Sequence, residues 1–216
     1  MTKKYEITDI THPINKRIHR IRALCDIPAV GVKTGDLGGW IERRVNLSQY
    51  GDSWVFDNAQ VFGNAQVSGN AQISDDAWVF DNARVSGKAR VFRNARVFDE
   101  ACVYGVARIF DDARVSGKAQ VFNTARVCGQ AHVRETGEVL CTHVIASDLY
   151  DATLHRTTEG HDLHVGCWTG TVSDFRTMID SNEWVEATPE QIELRRPELL
   201  AFADMCEARI ATWGQQ

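Results

Sequence analysis

The chain has 216 residues, of which 44% are hydrophobic and 25% are charged, and its formal net charge at pH 7 is −5. These values are typical of a globular protein, and the negative charge argues against a dedicated nucleic-acid-binding domain. No apolar run approaches the roughly 20 residues that a membrane-spanning helix needs. The N-terminus lacks the apolar stretch and cleavage site of a signal peptide, so we predict a cytoplasmic protein that does not bind membranes.

The first 52 residues are predicted to form a β cap. Residues 5–27 contain two segments in which apolar and polar residues alternate, as they do in strands. The glycine-rich stretch GDLGG at 35–39 matches no phosphate-binding loop, because its spacing differs and no helix follows it. We predict a tight turn there that caps the following repeat and blocks its unpaired strand edges.

A strict repeat of six residues occupies residues 53–139. A valine or isoleucine recurs at every sixth position from Val55 to Val139, and a small residue, usually alanine, stands two places before each one. A period of six fits a short strand followed by a tight corner, and the corners hold Gly, Asp and Asn, which tolerate positive φ. Three strands and corners make a triangular coil of eighteen residues, so fifteen repeats predict five coils with valine and alanine inside.

The side chains beside the valines are predicted to point outward and to form three faces, found by reading every eighteenth residue. The first face carries Trp54, Gln72, Arg90, Arg108 and Arg126 beside Phe56, Ser74, Phe92, Phe110 and Cys128. The second face carries Gln60, Trp78, Arg96, Arg114 and His132 beside Phe62, Phe80, Phe98 and Ser116. The third face carries Gln66, Arg84, Cys102 and Gln120 beside Ser68, Ser86, Tyr104 and Phe122. The first two faces therefore combine an arginine ladder with an aromatic ladder.

The aromatic ladders predict an interface, because apolar patches of this size on a flat surface are usually covered by protein. The N-terminal hairpin, the last helix and another subunit are the three candidates for the cover. The predicted interface residues all belong to the second face: Phe62, Trp78, Phe80, Phe98, Arg96 and Arg114.

The arginine ladder of the first face has two interpretations, because guanidinium groups about 5 Å apart repel one another unless anions neutralise them. Carboxylates of the acidic C-terminal segment, or corner residues such as Asp111 and Asp112, are one source of neutralising charge. Alternatively, a phosphate-bearing ligand such as a nucleotide or nucleic acid lies along the ladder, with its bases against the aromatic rings. The predicted ligand-binding residues are then Arg90, Arg108, Arg126, Phe92 and Phe110.

Residues 140–216 are predicted to form a hairpin followed by helices that cap the solenoid or serve in oligomerisation. The hairpin turns at Glu159–Gly160, and Thr171 caps a short helix at 172–180. Thr188 followed by proline begins a further helix, and a last helix starts at Pro197. The apolar residues of that last helix fall on one stripe: Leu199, Phe202, Ala203, Cys206, Ile210 and Trp213.

The spacing H-x-x-H-x-x-C at His161, His164 and Cys167, with Cys141 as a fourth ligand, raises the question of a metal site. On a strand, however, Cys167 alternates in phase with Leu163 and lies opposite His164, so these side chains do not converge. We therefore predict no metal site, and we expect Cys167 to be a structural residue packed in the small C-terminal core.

The repeat resembles the hexapeptide-repeat, left-handed parallel β-helix family, and the match over Ser53 to Val139 is highly specific. The segments KTGDLGGWIE, NLSQYGDSWV and HDLHVGCWTGTVSDF are similar to the ends of an uncharacterised group of these proteins from bacteria and their phages. The resemblance implies an all-β solenoid of about five left-handed triangular coils, with an N-terminal β cap and a small C-terminal hairpin plus helices. It also implies homo-oligomers, most commonly trimers around parallel solenoid axes.

The leading hypothesis is a non-enzymatic scaffold or binding protein without a cofactor. Its predicted partners are other copies of the same chain, a host or phage protein, or a phosphate-bearing ligand, and the resemblance to phage-associated proteins suggests a host-interaction or anti-defence role. A nucleotide or polyanion binder that uses the arginine ladders is one alternative.

The other alternative is an acyl-CoA-dependent acyltransferase of the hexapeptide-repeat type. In the enzymes that the repeat resembles, a histidine acts as the general base where two subunits meet, near a loop that interrupts the repeat. No loop interrupts the repeat between Ser53 and Val139 here, and the first four coils contain no histidine. His132 and His143 are the candidate catalytic residues under this alternative.

Overall fold

The computed structural model of the protein describes residues 3–146, 148–181 and 188–213, and for 143–146 and 148–150 it describes the backbone alone. Within these ranges, neither helix combines the length and the apolar character that crossing a membrane requires.

Three antiparallel strands form the N-terminal end of the molecule; the first two lie in the segments predicted from alternation, whereas the third includes most of the GDLGG stretch that was predicted to be a turn. They are β1 (Tyr5–Thr11), β2 (His19–Ala23) and β3 (Leu37–Ile41), and short 3₁₀ helices lie at Pro28–Val30 and Arg44–Asn46. Strand β2 pairs with both neighbours, and β3 pairs on its other edge with the first coils of the repeat. The N-terminal strands therefore extend one sheet of the solenoid.

Fourteen strands of two residues each make up the repeat, and they pair in parallel to give three sheets. The strands are β4 (Trp54–Val55), β5 (Gln60–Val61), β6 (Gln66–Val67), β7 (Gln72–Ile73), β8 (Trp78–Val79), β9 (Arg84–Val85), β10 (Arg90–Val91), β11 (Arg96–Val97), β12 (Cys102–Val103), β13 (Arg108–Ile109), β14 (Arg114–Val115), β15 (Gln120–Val121), β16 (Arg126–Val127) and β17 (His132–Val133). The first face is the sheet β4-β7-β10-β13-β16, and the third face is β6-β9-β12-β15. The second face is β5-β8-β11-β14-β17, which continues into β3, β2 and β1. The predicted solenoid of about five stacked coils is confirmed.

The inside of the solenoid is filled by two columns of the repeat, one of alanines and one of valines and isoleucines. At every sixth position, the alanines from Ala59 to Ala131 and the valines and isoleucines from Val55 to Val133 are at most 1% exposed. Each side of a coil is a strand of two residues, which has no partner strand within its own coil, so its backbone amides donate to carbonyls of the next coil. For example, Trp78 N donates to the carbonyl of Ala95 at 2.9 Å. The coils are thus held by apolar packing inside and by hydrogen bonds along the stack.

The corners of the solenoid use positive φ angles at every sixth residue, as the corner composition predicts. From Gly51 to Gly129 the first residue of each corner has a φ between 48° and 73°. Seven of these corner residues are not glycine: Asp57, Asp75, Asp81, Arg93, Asp99, Asp111 and Asn123. Asp and Asn accept this backbone conformation more readily than most residues, which explains their recurrence there.

The solenoid begins earlier than the repeat pattern indicates. Ile41 pairs with Val61, and Leu47 forms a bridge to Val67, so an additional partial coil precedes Val55. These partners are 20 residues apart instead of 18, and this insertion hides the partial coil from a strict reading of the period. The glycines of GDLGG do more than turn the chain, because Gly39 lies in β3 where the backbone of this coil closes over Val55.

The solenoid also ends earlier than predicted. Val139, the fifteenth position of the aliphatic column, does not pair with Val121; a 3₁₀ helix at Thr136–Glu138 redirects the chain first. Val139 instead starts an antiparallel sheet of β18 (Val139–Ala146), β19 (Asp148–Arg156), β20 (His161–Val165) and β21 (Trp168–Gly170). The predicted hairpin turn at Glu159–Gly160 is confirmed between β19 and β20.

Two helices cover one side of this C-terminal sheet. They are α1 (Val172–Asp180) and α2 (Pro189–Thr212), and the predicted capping residues Thr171 and Thr188 each accept a hydrogen bond from the third helical residue. A separate helix starting at Pro197 is wrong, because α2 continues through this proline. Buried residues on both sides of it, such as Ile192 and Leu199, bind the helix to its surroundings, and this packing outweighs the lost backbone hydrogen bond.

The C-terminal module has an apolar core of its own. The predicted stripe of α2 packs with Phe175 of α1 and with Leu154 and Leu163 of the sheet. Since side chains alternate along a strand, the neighbouring residues of β19 and β20 lie on the opposite side, which faces the last coils of the solenoid. Arg126 N donates to Thr153 Oγ1 at 3.1 Å across this junction.

We predict that Gly39→Ala destabilises the protein by about 1–3 kcal/mol, because a Cβ at this position would lie 2.6 Å from Val55 Cγ1 and 2.7 Å from the carbonyl oxygen of Ala59. Urea denaturation followed by circular dichroism measures the effect. Gly137→Ala is the matched control, since nothing lies within 4 Å of its Cβ position. Equal midpoints for both variants would contradict the close approach of β3 to the first coil.

Candidate functional site

The outward side chains form the ladders that the sequence predicts. Arg90, Arg108 and Arg126 occupy equivalent positions on successive strands of the first face. On the second face, Arg96 lies between Trp78 and Arg114 in the same way. Each rung is one strand spacing, about 4.8 Å, from the next, so the side chains at equivalent positions of successive coils are neighbours.

The phenylalanines stack face to face along the solenoid axis. Phe62, Phe80 and Phe98 have ring centroids 5.2 and 5.0 Å apart, and their planes differ by 9° and 2°. On the first face, Phe92 and Phe110 stack at 5.0 Å. A third stack, Tyr104 with Phe122 at 5.3 Å, lies on the third face. The guanidinium carbons of the arginine ladders lie over neighbouring rings: Arg96 over Trp78 at 4.8 Å, Arg90 over Phe92 at 5.6 Å and Arg126 over Phe110 at 5.8 Å.

The terminal segments leave most of these rings uncovered. The N-terminal segment covers the start of the first face, where Tyr5 packs edge-on against Trp54 and donates its hydroxyl proton to the carbonyl of Leu47 at 2.6 Å. Burial raises the pKa of this tyrosine to about 12. Helix α2 packs on the C-terminal sheet, so it does not cover the second face. Among the described residues, neither the N-terminal segment nor the last helix covers the second-face stack. Of the three predicted covers, another subunit therefore remains.

The predicted pairing of Asp111 and Asp112 with the ladder arginines is wrong. Asp111 forms an ion pair with Arg93 in the corner next to the first face, and Asp112 accepts hydrogen bonds from two side-chain amides, those of Asn94 and Gln130. Both carboxylates therefore bind residues of the same corner in the neighbouring coils, and not the arginines of the face.

The ladder arginines in the middle of the solenoid have exposed guanidinium groups. None of them forms an ion pair with a residue in the described parts of the chain: Arg84, Arg90, Arg96, Arg108 and Arg114. Arg126 differs, because it is half-buried at the junction with β19 and its Nε is buried without a hydrogen-bond partner. The accessible part of the first-face ladder therefore consists of Arg90 and Arg108.

An acidic corner borders the second face at the ends of its strands. Asp81, Asp99 and Glu100 line an open polar groove there, together with Arg43 and the side-chain amides of the same corner. All three carboxylate residues are exposed. The second face thus presents a column of arginines, and the corner that follows its strands presents a column of carboxylates.

The predicted catalytic histidines have limited support from geometry. His132 is half-buried on the second face, and Arg134 Nε donates to its Nε2 at 3.3 Å. Burial, with a contribution from neighbouring guanidinium groups, lowers the pKa of His132. Its ring is therefore a weaker base than that of a solvent-exposed histidine. The side chain of His143 lies outside the described part of the structure.

The residues of the H-x-x-H-x-x-C spacing do not converge, as predicted, but one of them takes part in a different cluster. His161 Nε2 accepts a hydrogen bond from Val172 N at the start of α1, and Cys141 lies 3.7 Å from Thr124 Oγ1. The prediction that Cys167 packs in the C-terminal core is wrong: it is exposed, because a turn at Gly166 with a φ of 59° ends the alternation of β20.

Three potential metal ligands meet at the junction between the solenoid and the C-terminal sheet. Cys128 Sγ lies 3.1 Å from His164 Nε2, and His155 Nε2 lies 3.2 Å from the same nitrogen. All three ligand atoms lie within 4.8 Å of one another, the single such group among the described residues. Sequence spacing did not show this cluster, because Cys128 follows β16 whereas the histidines belong to β19 and β20.

The junction is buried and low in dielectric. His155 is 0%, Cys128 6% and His164 9% exposed. Burial lowers the pKa of His155 to about 3, lowers that of His164 and raises that of the Cys128 thiol to about 12. Both imidazoles are therefore neutral at pH 7, and the thiol is protonated.

Comparison with known proteins finds a match within the repeat. A family model described as YdcK Beta solenoid repeat matches residues 59–75, 71–87 and 107–123. The chain is a β-solenoid repeat protein. No curated protein matches the chain.

The exposure of the cysteines predicts the order of their alkylation. Cys167 is exposed, whereas Cys128 and Cys206 are buried and burial raises the pKa of each to about 12. Since the thiolate is the reactive form, iodoacetamide at pH 7.5 should modify Cys167 first and these two last. Peptide mapping by mass spectrometry measures the order. Early modification of Cys206 would show that the C-terminal core is open.

Proposed function

We propose that the protein is a non-enzymatic scaffold that assembles with copies of itself through the second face of its solenoid. The observation that carries the proposal is the stack of Phe62, Phe80 and Phe98, which no described segment of the chain covers. Three stacked rings beside a tryptophan form an apolar surface of the kind that marks a protein interface. The face is flat and rigid, because every rung is bonded to the coils on both sides.

The charges of this region favour a second copy of the chain as the partner. The arginine column, Arg96 and Arg114, lies on the face, and the acidic column of Asp81, Asp99 and Glu100 lies at its edge. These arginines form no ion pair with any described residue of their own chain, and they are complementary to the carboxylates of a neighbouring copy. A ring in which each copy offers its face to the acidic edge of the next satisfies both columns.

The hexapeptide-repeat resemblance supports a ring of three copies, since trimers around parallel axes are common in that family. It is also the source of the remaining hypotheses. The acyl-CoA-dependent acyltransferase with His132 or His143 as general base, the association with phage and an anti-defence role rest on resemblance, and they stay predictions together with the cytoplasmic location.

The Phe80→Glu/Phe98→Glu double variant tests the proposed interface. Burying two carboxylates in an apolar contact is costly, so we expect the wild type to sediment as a trimer and this variant as a folded monomer. Sedimentation equilibrium measures the mass, and circular dichroism verifies the fold.

The control is Phe122→Glu, which charges the stack of the third face, whose rings are more exposed than those of the second face. This variant should keep the wild-type mass. A monomeric wild type, or dissociation of the third-face variant as well, would contradict assembly through the second face.

A second candidate function, binding of a phosphate-bearing ligand, is favoured by the first face. Arg90 and Arg108 form adjacent exposed rungs with no ion pair among the described residues, and Phe92 and Phe110 stack beside them. Guanidinium groups at this spacing match successive phosphates of an extended polyanion, while the rings offer a surface on which bases stack.

A fluorescent single-stranded oligonucleotide is the probe for this second candidate. Its Kd should rise steeply with salt and should increase roughly tenfold or more in Arg90→Gln/Arg108→Gln. Arg84→Gln on the third face is the matched control, because its guanidinium is equally exposed but has no arginine on the neighbouring rung. Binding that is insensitive to salt, or that is lost equally in the control, would exclude the first face as a polyanion site.

A further inference from the structure

The cluster of Cys128, His155 and His164 lies where the two modules of the protein meet. Cys128 is the first residue after β16, in a corner of the last coil. His155 and His164 are diagonal neighbours on β19 and β20, because Thr153 pairs with His164 and His155 pairs with Asp162. Both imidazoles project from the side of the sheet that faces the solenoid, opposite the helices.

The distances in the cluster approach those between the ligands of a tetrahedral zinc ion. Zn–N bonds of about 2.0–2.1 Å place two nitrogen ligands about 3.3 Å apart, and a Zn–S bond of about 2.3 Å places sulfur about 3.6 Å from nitrogen. The observed separations are 3.2 Å between the two Nε2 atoms and 3.1 Å between Cys128 Sγ and His164 Nε2. The third separation, between the ligand atoms of Cys128 and His155, is at most 4.8 Å, so small side-chain movements bring all three atoms to ligand positions.

Hydrogen bonding alone does not account for this arrangement. An imidazole nitrogen carries either one proton or one lone pair in the ring plane, so it makes one good hydrogen bond. His164 Nε2 is nevertheless approached by both Cys128 Sγ and His155 Nε2. A cation placed among the three atoms uses the lone pair of each, and it removes this conflict.

The surroundings of the cluster are those of a metal site. His164 Nδ1 lies 2.9 Å from Thr169 Oγ1, which fixes the ring orientation and leaves Nε2 directed at the cluster. The negative charge of Asp162 acts on both Cys128 and His164, where it partly opposes the lowering of the His164 pKa by burial, and it favours a bound cation.

We propose that Cys128, His155 and His164 bind a structural zinc ion that cross-links the last coil of the solenoid to the C-terminal sheet. The thiol of Cys128 releases its proton to solvent as its sulfur binds the ion, whereas the neutral imidazoles bind through lone pairs and release none. A water molecule takes the fourth position of the tetrahedron. The ion fixes the C-terminal module against the end of the solenoid.

The full-length protein, without a histidine tag, is stripped with a chelator and titrated with Zn²⁺ and, separately, with Co²⁺. We expect one Zn²⁺ per chain by native mass spectrometry and a rise in Tm on zinc addition. The Co²⁺ form should show the absorption of a cobalt–thiolate bond. Cys128→Ser should remove that absorption, and loss of a ligand in His164→Ala should weaken Zn²⁺ binding at least about 100-fold, since loss of a mere supporting partner costs about 10–100-fold.

Cys167→Ser is the control, because this cysteine is exposed and outside the cluster. It should keep the cobalt–thiolate absorption and the zinc stoichiometry. Absence of stoichiometric zinc binding, a Co²⁺ spectrum of the wild type without a thiolate band, or binding that survives in Cys128→Ser would overturn the proposal. The wild-type spectrum decides even if a variant fails to fold.

Discussion

Hydrogen bonds between successive coils are the constraint on which the rest of the structure depends. Each side of the solenoid has only two strand residues, so its amides and carbonyls bond to the coils above and below. The period of six follows, because an additional strand residue on one side of a coil would put its next corner out of register with the neighbouring coils. The interior then admits only alanine and a branched aliphatic residue at each level, and both columns are fully buried.

The same constraint produces the surfaces on which function is proposed. Stacking places like residues on like, at strand spacing, so phenylalanines form ring stacks and arginines form rows of positive charge. A single exposed phenylalanine or arginine is ordinary, but rows of them on a rigid face have a fixed geometry that a partner can match. The corner carboxylates are ordered in the same way, and Arg93 with Asp111 shows how one column neutralises itself whereas the face arginines do not.

Much of this architecture is predictable from sequence because the repeat is local and periodic. The interior columns, the positive-φ corners, the three faces and the helix caps at Thr171 and Thr188 each follow from a few neighbouring residues. The errors have equally local causes. A two-residue insertion hides the partial coil at Ile41, a turn at Gly166 ends the alternation that placed Cys167 in the core, and packing on both sides keeps α2 continuous through Pro197.

The candidate sites also differ in how far they can be predicted from sequence. The ladder residues are predictable, because their neighbours are set by the period of eighteen. The Cys128–His155–His164 cluster was not, because it depends on how an aperiodic sheet docks against the last coil, and His164 is 36 residues from Cys128 in sequence. Periodicity says nothing about that docking.

Hydrogen–deuterium exchange of the native protein, read by mass spectrometry, tests most directly whether coil-to-coil hydrogen bonds hold the molecule. We predict the slowest exchange in the central coils, residues 78–109, where every side has a bonded coil above and below. Protection should decrease toward the 3₁₀ helix at Thr136–Glu138, where the stack ends. Central coils that exchange as fast as that terminal segment would contradict it.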